Sequence, residues 1–166
     1  MTKQEPWFFE ERAVAFAKLV LTKQHDVRPH AGADMGMDLL VEIRTDRNSA
    51  RRRLFGVQII AYMDLPDSQD SDERVVSHLG SDSLEGMLPI CVFVVGVRKP
   101  EGIYRWIVEP VVEEGRALLH RDVEAHWQPL DGAGVARLIG QVNAWYDALN
   151  GSATPKRRGG HSKMEK

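Results

Sequence analysis

The sequence predicts an α/β (α+β) domain in which a central mixed β-sheet is flanked by helices. Three observations carry that expectation. One amphipathic pattern of helical period opens the chain and another follows Asp131. The runs between them are rich in β-branched residues, and the most hydrophobic of these is followed by a turn and a further apolar run. With 166 residues, 43% hydrophobic and 28% charged, the chain can bury one sizeable core, and wholesale disorder is excluded.

The elements follow in order. Phe9, Ala13, Phe16, Ala17, Val20 and Leu21 recur at helical spacing, so Trp7 to Gln24 reads as a helix with Pro6 in its first turn. Asp26 to His30 is extended, and Met37 to Ile43 reads as a strand. Arg44 to Arg53 is polar and turn-like, and it holds five arginines against the single acid Asp46. Leu54 to Tyr62 is apolar enough for a central strand. Asp64 to Glu73 is an acidic loop, and a short helix is expected around Leu84 to Met87. Ile90 to Val97 is the most hydrophobic strand; Lys99-Pro100-Glu101-Gly102 then turns the chain into Ile103 to Val108. Val111 to Leu119 is expected to be helical. From Asp131, Val135, Leu138, Ile139, Val142, Trp145, Tyr146 and Leu149 form one stripe of a helix that Asn150-Gly151 should stop.

Residues 1–150 read as a single domain and residues 151–166 as a basic, disordered tail. The tail holds five of the 22 basic residues and one of the 24 acidic ones. That leaves 17 basic against 23 acidic residues in the body, a net charge of −6. An acidic body is a poor general-purpose nucleic-acid binder. A single cysteine, Cys91, excludes an internal disulfide and a multi-thiolate zinc site, and its neighbours Ile90 and Val92 mark it as a core thiol. No stretch approaches the ~20 apolar residues of a membrane span, and no secretory signal is evident. The expected compartment is the cytoplasm, with no membrane partner.

Polar residues stand out in two places where a fold alone would not require them. Asp38 begins a strand that otherwise wants apolar residues, and period two puts it on one face with Leu40 and Glu42. A turn built on Asp34 and Gly36 and capped by Asp38 would explain the same residues. Gln58 lies inside Val57-Gln58-Ile59-Ile60, where a buried amide demands partners. With Glu11 on the first helix, these oxygens could form a hard-cation site suited to magnesium or manganese.

Glu11 on an N-terminal helix, then "ADMGMDLLVEI" at 33–43, then "LFGVQII" at 54–60, resembles the restriction-endonuclease-like PD-(D/E)xK superfamily. More narrowly it is similar to bacterial domain-of-unknown-function family 4365, and the later "LPICVFVVGV…GIYRWIVEP" at 88–110 also resembles that family's hairpin. The resemblance implies a restriction-endonuclease-like core and a metal-dependent phosphodiester hydrolase acting on nucleic acid, DNA ahead of RNA. It implies Asp38 as the main metal carboxylate, Gln58 as a carbonyl ligand or water-orienting group, and Glu11 as the helix carboxylate. The cofactor would be Mg2+ or Mn2+ in an active enzyme, and none otherwise.

One departure is chemical. The motif lysine is replaced by Ile60, and an isoleucine neither contacts the scissile phosphate nor steers water. Loss of such a donor typically costs ~10²–10³ in rate. Lys18, seven residues after Glu11 on the same helix face, is a candidate substitute base; a solvated surface lysine is the plainer explanation. Arg47, Arg51, Arg52 and Arg53 could grip phosphates, or form an ordinary solvated loop. The expectation is therefore a nuclease-like domain, weakened or inactive, serving as a nucleic-acid- or partner-binding module in a bacterial defence or DNA-processing system. The alternative is an active Mg2+-dependent endonuclease with a relocated basic residue. The resemblance further implies a homodimer, for which the Val135–Leu149 helix could be interface as well as core.

Overall fold

The computed structural model describes residues 6–23, 26–45, 52–66, 87–121 and 126–152. Helix α1 spans Pro6–Thr22. Strand β1 (Val27–Ala31), a single 3-10 turn (Ala33–Met35), β2 (Leu39–Ile43) and β3 (Arg53–Tyr62) follow. Next come β4 (Ile90–Gly96), β5 (Glu101–Glu113), β6 (Arg116–Arg121) and β7 (Gln128–Pro129). The last described element is helix α2 (Gly132–Ser152). All the described strands belong to one sheet in the order β1-β2-β3-β4-β5-β6, with β7 added to β5 at Ile103 and Tyr104.

Among the described strands, one parallel pair makes the sheet mixed. β1, β2 and β3 form an antiparallel meander in which Ala31 faces Leu39 and Leu39 faces Val57. β3 then runs parallel to β4, from Gly56 opposite Ile90 to Tyr62 opposite Gly96. β4 and β5, and β5 and β6, are antiparallel. A parallel neighbour needs a crossover connection, and residues 63–89 supply it.

Both described helices pack on one face of this sheet. Ala13, Ala17 and Leu21 of α1 and Val135, Leu138 and Val142 of α2 share a core with Leu39, Val41, Phe55, Val57, Cys91, Phe93 and Val95. On the opposite face Val92 and Val94 pack with Ile60, Tyr62 and Trp127. β4 is buried along its whole length, so it reads as a continuous apolar run rather than an alternation. Burial pushes the Cys91 thiol well up from its ordinary pKa, in keeping with a core residue.

One expected helix is a hairpin. Val111 to Leu119, read as helical, forms the end of β5, a two-residue turn and most of β6. Glu114 (φ 49°) and Gly115 (φ 75°) are both left-handed, which suits the tight turn that joins two twisted strands. Val111 and Val112 favour the extended form, and apolar residues on two paired strands had mimicked a helical period. At the chain's other end, α2 runs through Asn150-Gly151 to Ser152, because neither residue takes the left-handed conformation that would stop it. The rest of the basic tail, the acidic loop beyond Pro66 and residues 84–86 of the short expected helix lie outside the described residues. No described helix is long and apolar enough to cross a membrane.

Candidate functional site

The site is built at the point where β2 starts. Gly32 leaves β1 where a Cβ would sit 3.0 Å from the Met37 carbonyl oxygen and 3.1 Å from the Leu39 backbone, so any larger residue would push this fold-back apart by a few tenths of an ångström. The 3-10 turn ends at Gly36 (φ 72°), and Met37 N–H donates back to Gly32 O at 3.1 Å. Met37 then lies over Gly56, whose missing side chain leaves room for its sulfur. Asp38 N–H donates to Val57 O at 3.1 Å.

The Asp38 carboxylate adds a side-chain bond to the ones its backbone makes to Val57 and Gly32. Its Oδ2 accepts the Ile59 N–H at 2.6 Å. A charged acceptor so close to a backbone donor is a strong hydrogen bond. The turn explanation and the metal explanation both used Asp38, and the observed contact adds a third role: it anchors the edge of β3.

Beside Asp38 lies a cleft of about 610 Å³ between α1 and β3. Trp7, Glu11, Val14 and Lys18 enter it from the helix, at the i, i+4, i+7 and i+11 spacing of one face. Glu10 joins them, and Asp38 and Ile59 line the sheet side. Three of the four expected catalytic residues, Glu11, Lys18 and Asp38, therefore share one cleft. Its charged groups are three carboxylates and one ammonium.

Gln58 is not among the residues lining this cleft. Phe55, Val57, Ile59 and Ala61 face the helices, while Ile60 and Tyr62 pack on the other face with Val92 and Val94. Strand alternation puts Gln58 with Ile60, and its Nε2 lies 3.4 Å from Gly36 O. The grouping of Asp38 with Leu40 and Glu42 also fails. Leu40 packs beside Met37, and Glu42 pairs with His30 Nε2 at 3.3 Å and Arg52 Nε at 3.7 Å. Asp38 escapes the strand's alternation because it precedes β2 and bends its carboxylate toward Ile59.

The arginine expectations divide. Arg53 is engaged within the fold: its guanidinium bonds Asn143 O at 3.2 Å, Asn143 Oδ1 at 2.8 Å and the Asp147 carboxylate. It is a strut between β3 and α2. Arg52 remains exposed beside Glu42, and Arg47 and Arg51 lie outside the described residues.

For a divalent ion the cleft offers the Glu11 and Asp38 carboxylates, without the Gln58 carbonyl. Among the described residues no three His, Cys, Asp or Glu side chains come together as a ready-made cage. Magnesium is commonly held by one or two carboxylates with water and substrate phosphate completing the shell. Glu11 and Asp38 line this cleft together. Reading the sequence missed Trp7, Glu10 and Ile59 as cleft residues. The four-residue step from Trp7 to Glu11 was the available signal for the first.

The fold and cleft define an α+β domain with a mixed sheet and an acidic, aromatic-rimmed cleft under its first helix. No family model, no curated protein and no solved structure matches this chain.

Proposed function

We propose that this chain is a restriction-endonuclease-like domain of the PD-(D/E)xK kind that binds nucleic acid, DNA ahead of RNA, without cutting it efficiently. The single observation that carries this reading is that β3 lines the cleft with Ile59, an apolar side chain, beside Asp38. The strand residue beside Asp38 is Ile59, and neither it nor Ile60 can supply the cation or the second oxygen that hydrolysis requires. The fold component is supported by position: the helix, the Asp38 strand, the Gln58 strand and the later hairpin are α1, β2, β3 and β4–β5 of one structure. A role in a bacterial defence or DNA-processing system belongs to the same reading.

Electrostatics gives the binding a condition. Glu10, Glu11 and Asp38 outnumber Lys18, so a phosphate is repelled unless a divalent cation intervenes. Glu11 and Asp38 would hold that Mg2+ or Mn2+. A cation there supplies charge neutralisation and a more acidic bound water. Lys18 balances part of the cleft's negative charge.

Lys18 also motivates the second reading, an active nuclease with a relocated base, because it lines the same cleft as Glu11 and Asp38. The test is incubation of labelled duplex and single-stranded DNA with Mg2+, Mn2+ or EDTA, read by mobility shift and by cleavage. Wild type should bind in the divalent metal, bind weakly in EDTA, and leave the strands intact. Asp38→Asn should abolish the metal-dependent shift. Cleavage lost in both Asp38→Asn and Lys18→Ala would favour the active enzyme. Neither binding nor cleavage under any of these conditions would overturn both readings.

A further inference from the structure

A second groove lies at the other end of the helical layer, between α2 and β5, and the nuclease reading does not use it. Its volume is about 690 Å³, within the ~300–1,000 Å³ typical of small-molecule sites. Two matched series line it: Arg137, Gly140, Gln141 and Ala144 along α2, and Tyr104, Trp106 and Glu109 along β5.

The groove has a polarity. At one end the Arg137 guanidinium lies beside the Tyr104 hydroxyl, which donates to Gly134 O at 3.1 Å. At the middle Gln141 Oε1 accepts the Trp106 indole N–H at 3.0 Å. Gln141 Nε2 faces Glu109 Oε1 at 3.4 Å, so the acid marks the opposite end. From Arg137 to Ala144 the helix rises ~10 Å at 1.5 Å per residue. Exposed His126 contributes a further nitrogen to the lining.

Each part selects a chemical group. A guanidinium prefers phosphate or carboxylate and can bind it through two donors. Glu109, a carboxylate, accepts from amino or imino N–H groups. The buried Tyr104 and Trp106 rings form the floor of the groove, held there by their own hydrogen bonds to Gly134 and Gln141. A Cβ added at Gly140 would meet nothing within 4 Å, so α2 leaves open space beside the groove at this lining position.

We propose that the α2–β5 groove binds a nucleoside monophosphate, with its phosphate on Arg137 and its base N–H groups toward Glu109. The nucleotide comes either free or as the 5′-phosphorylated end of a strand, since both present the same groups. The proposal stands apart from the nuclease reading and shares no residue with that cleft.

Calorimetric titration of the full chain with adenosine, guanosine, cytidine and uridine 5′-monophosphates tests it, with orthophosphate and free adenosine as half-ligands. At least one monophosphate should bind, more tightly than either half-ligand. Arg137→Gln and Gly140→Glu should each weaken it about tenfold or more. Both positions are exposed on α2, and circular dichroism verifies the fold. Competition by a 5′-phosphorylated oligonucleotide at lower concentration than the free nucleotide assigns the strand end; the reverse order assigns the free form. Absence of binding by all four monophosphates at millimolar concentration overturns the proposal. So does binding that neither variant weakens.

Discussion

Helix α2 is tied to the sheet by polar contacts along its length, whereas the buried seat of α1 consists of Ala13, Ala17 and Leu21. Asp131 Oδ1 caps α2 by accepting the Gly134 N–H at 2.7 Å. Further along come the Trp106–Gln141 bond and the Arg53 strut. Near the C-terminal end the Tyr146 hydroxyl accepts Leu54 N–H at 3.0 Å and donates to Leu54 O at 2.9 Å. Directional bonds of this kind specify the register of a helix; apolar contact specifies mainly its distance. The difference teaches that the two grooves stand on unequal foundations. The α2 groove is built from residues that also fasten the helix. The α1 cleft presents charges on a helix whose position is set by packing.

The largest expected effects test whether packing alone seats α1. Leu21→Ala and Leu138→Ala should each cost ~2–5 kcal/mol in urea unfolding, since both side chains are fully buried. Only Leu21→Ala should speed amide exchange in α1 beyond the global loss. Equal acceleration in both helices would remove the contrast.

Arg53→Ala should cost ~2 kcal/mol, because hydrogen bonds to charged groups are worth ~1.5–3 kcal/mol and Asn143 loses its partner. If chemical denaturation shows no change, the strut contributes only orientation. Tyr146→Phe leaves the Leu54 N–H without its acceptor, for ~1–2 kcal/mol. It also has a pH signature. Burial raises the pKa of Tyr146 and Tyr104 from the ordinary 10.0, so the folded state retains protons that the unfolded state releases. Their contribution is complete below pH 10 and is lost as pH rises through the raised values. Tyr146→Phe should flatten that alkaline loss in melting curves measured from pH 8 to 12.

Asp38 separates anchoring from chemistry. Asp38→Ala removes the acceptor for Ile59 N–H and should cost ~1 kcal/mol, while Asp38→Asn retains an oxygen and should cost less. Both should lose divalent-dependent DNA binding. An Asn variant that melts like Asp38→Ala would show that the charge, not the oxygen, holds β3. The smallest effect is a gain: Gly140→Ala should stabilise α2 by ~0.5–1 kcal/mol, since the site is exposed, helical and uncrowded.

Much of the fold was legible along the chain because its signals are local. The apolar spacing of Phe9 to Leu21 and of Val135 to Leu149 marked both helices, and the run Ile90 to Val97 marked the buried central strand. Glu114-Gly115 was a turn signal that an apparent helical period concealed. Asp38 was visible because an acid at the head of an apolar strand is unusual. Gln58 was equally visible, yet its face was not: alternation says which residues share a side, and only the helices' placement says which side that is.

The amino-acid sequence by itself determined where the helices and most strands form, that Cys91 would be buried, and which polar residues interrupt apolar runs. Those follow from periodicity, propensity and burial, which act over a few neighbouring residues. Tertiary structure alone decided that Glu11, Lys18 and Asp38 share a cleft while Gln58 lines the opposite face, and that Arg53 serves α2. The reason is that such pairings depend on strand order and on which sheet face the helices cover, both set by contacts between residues distant in the chain.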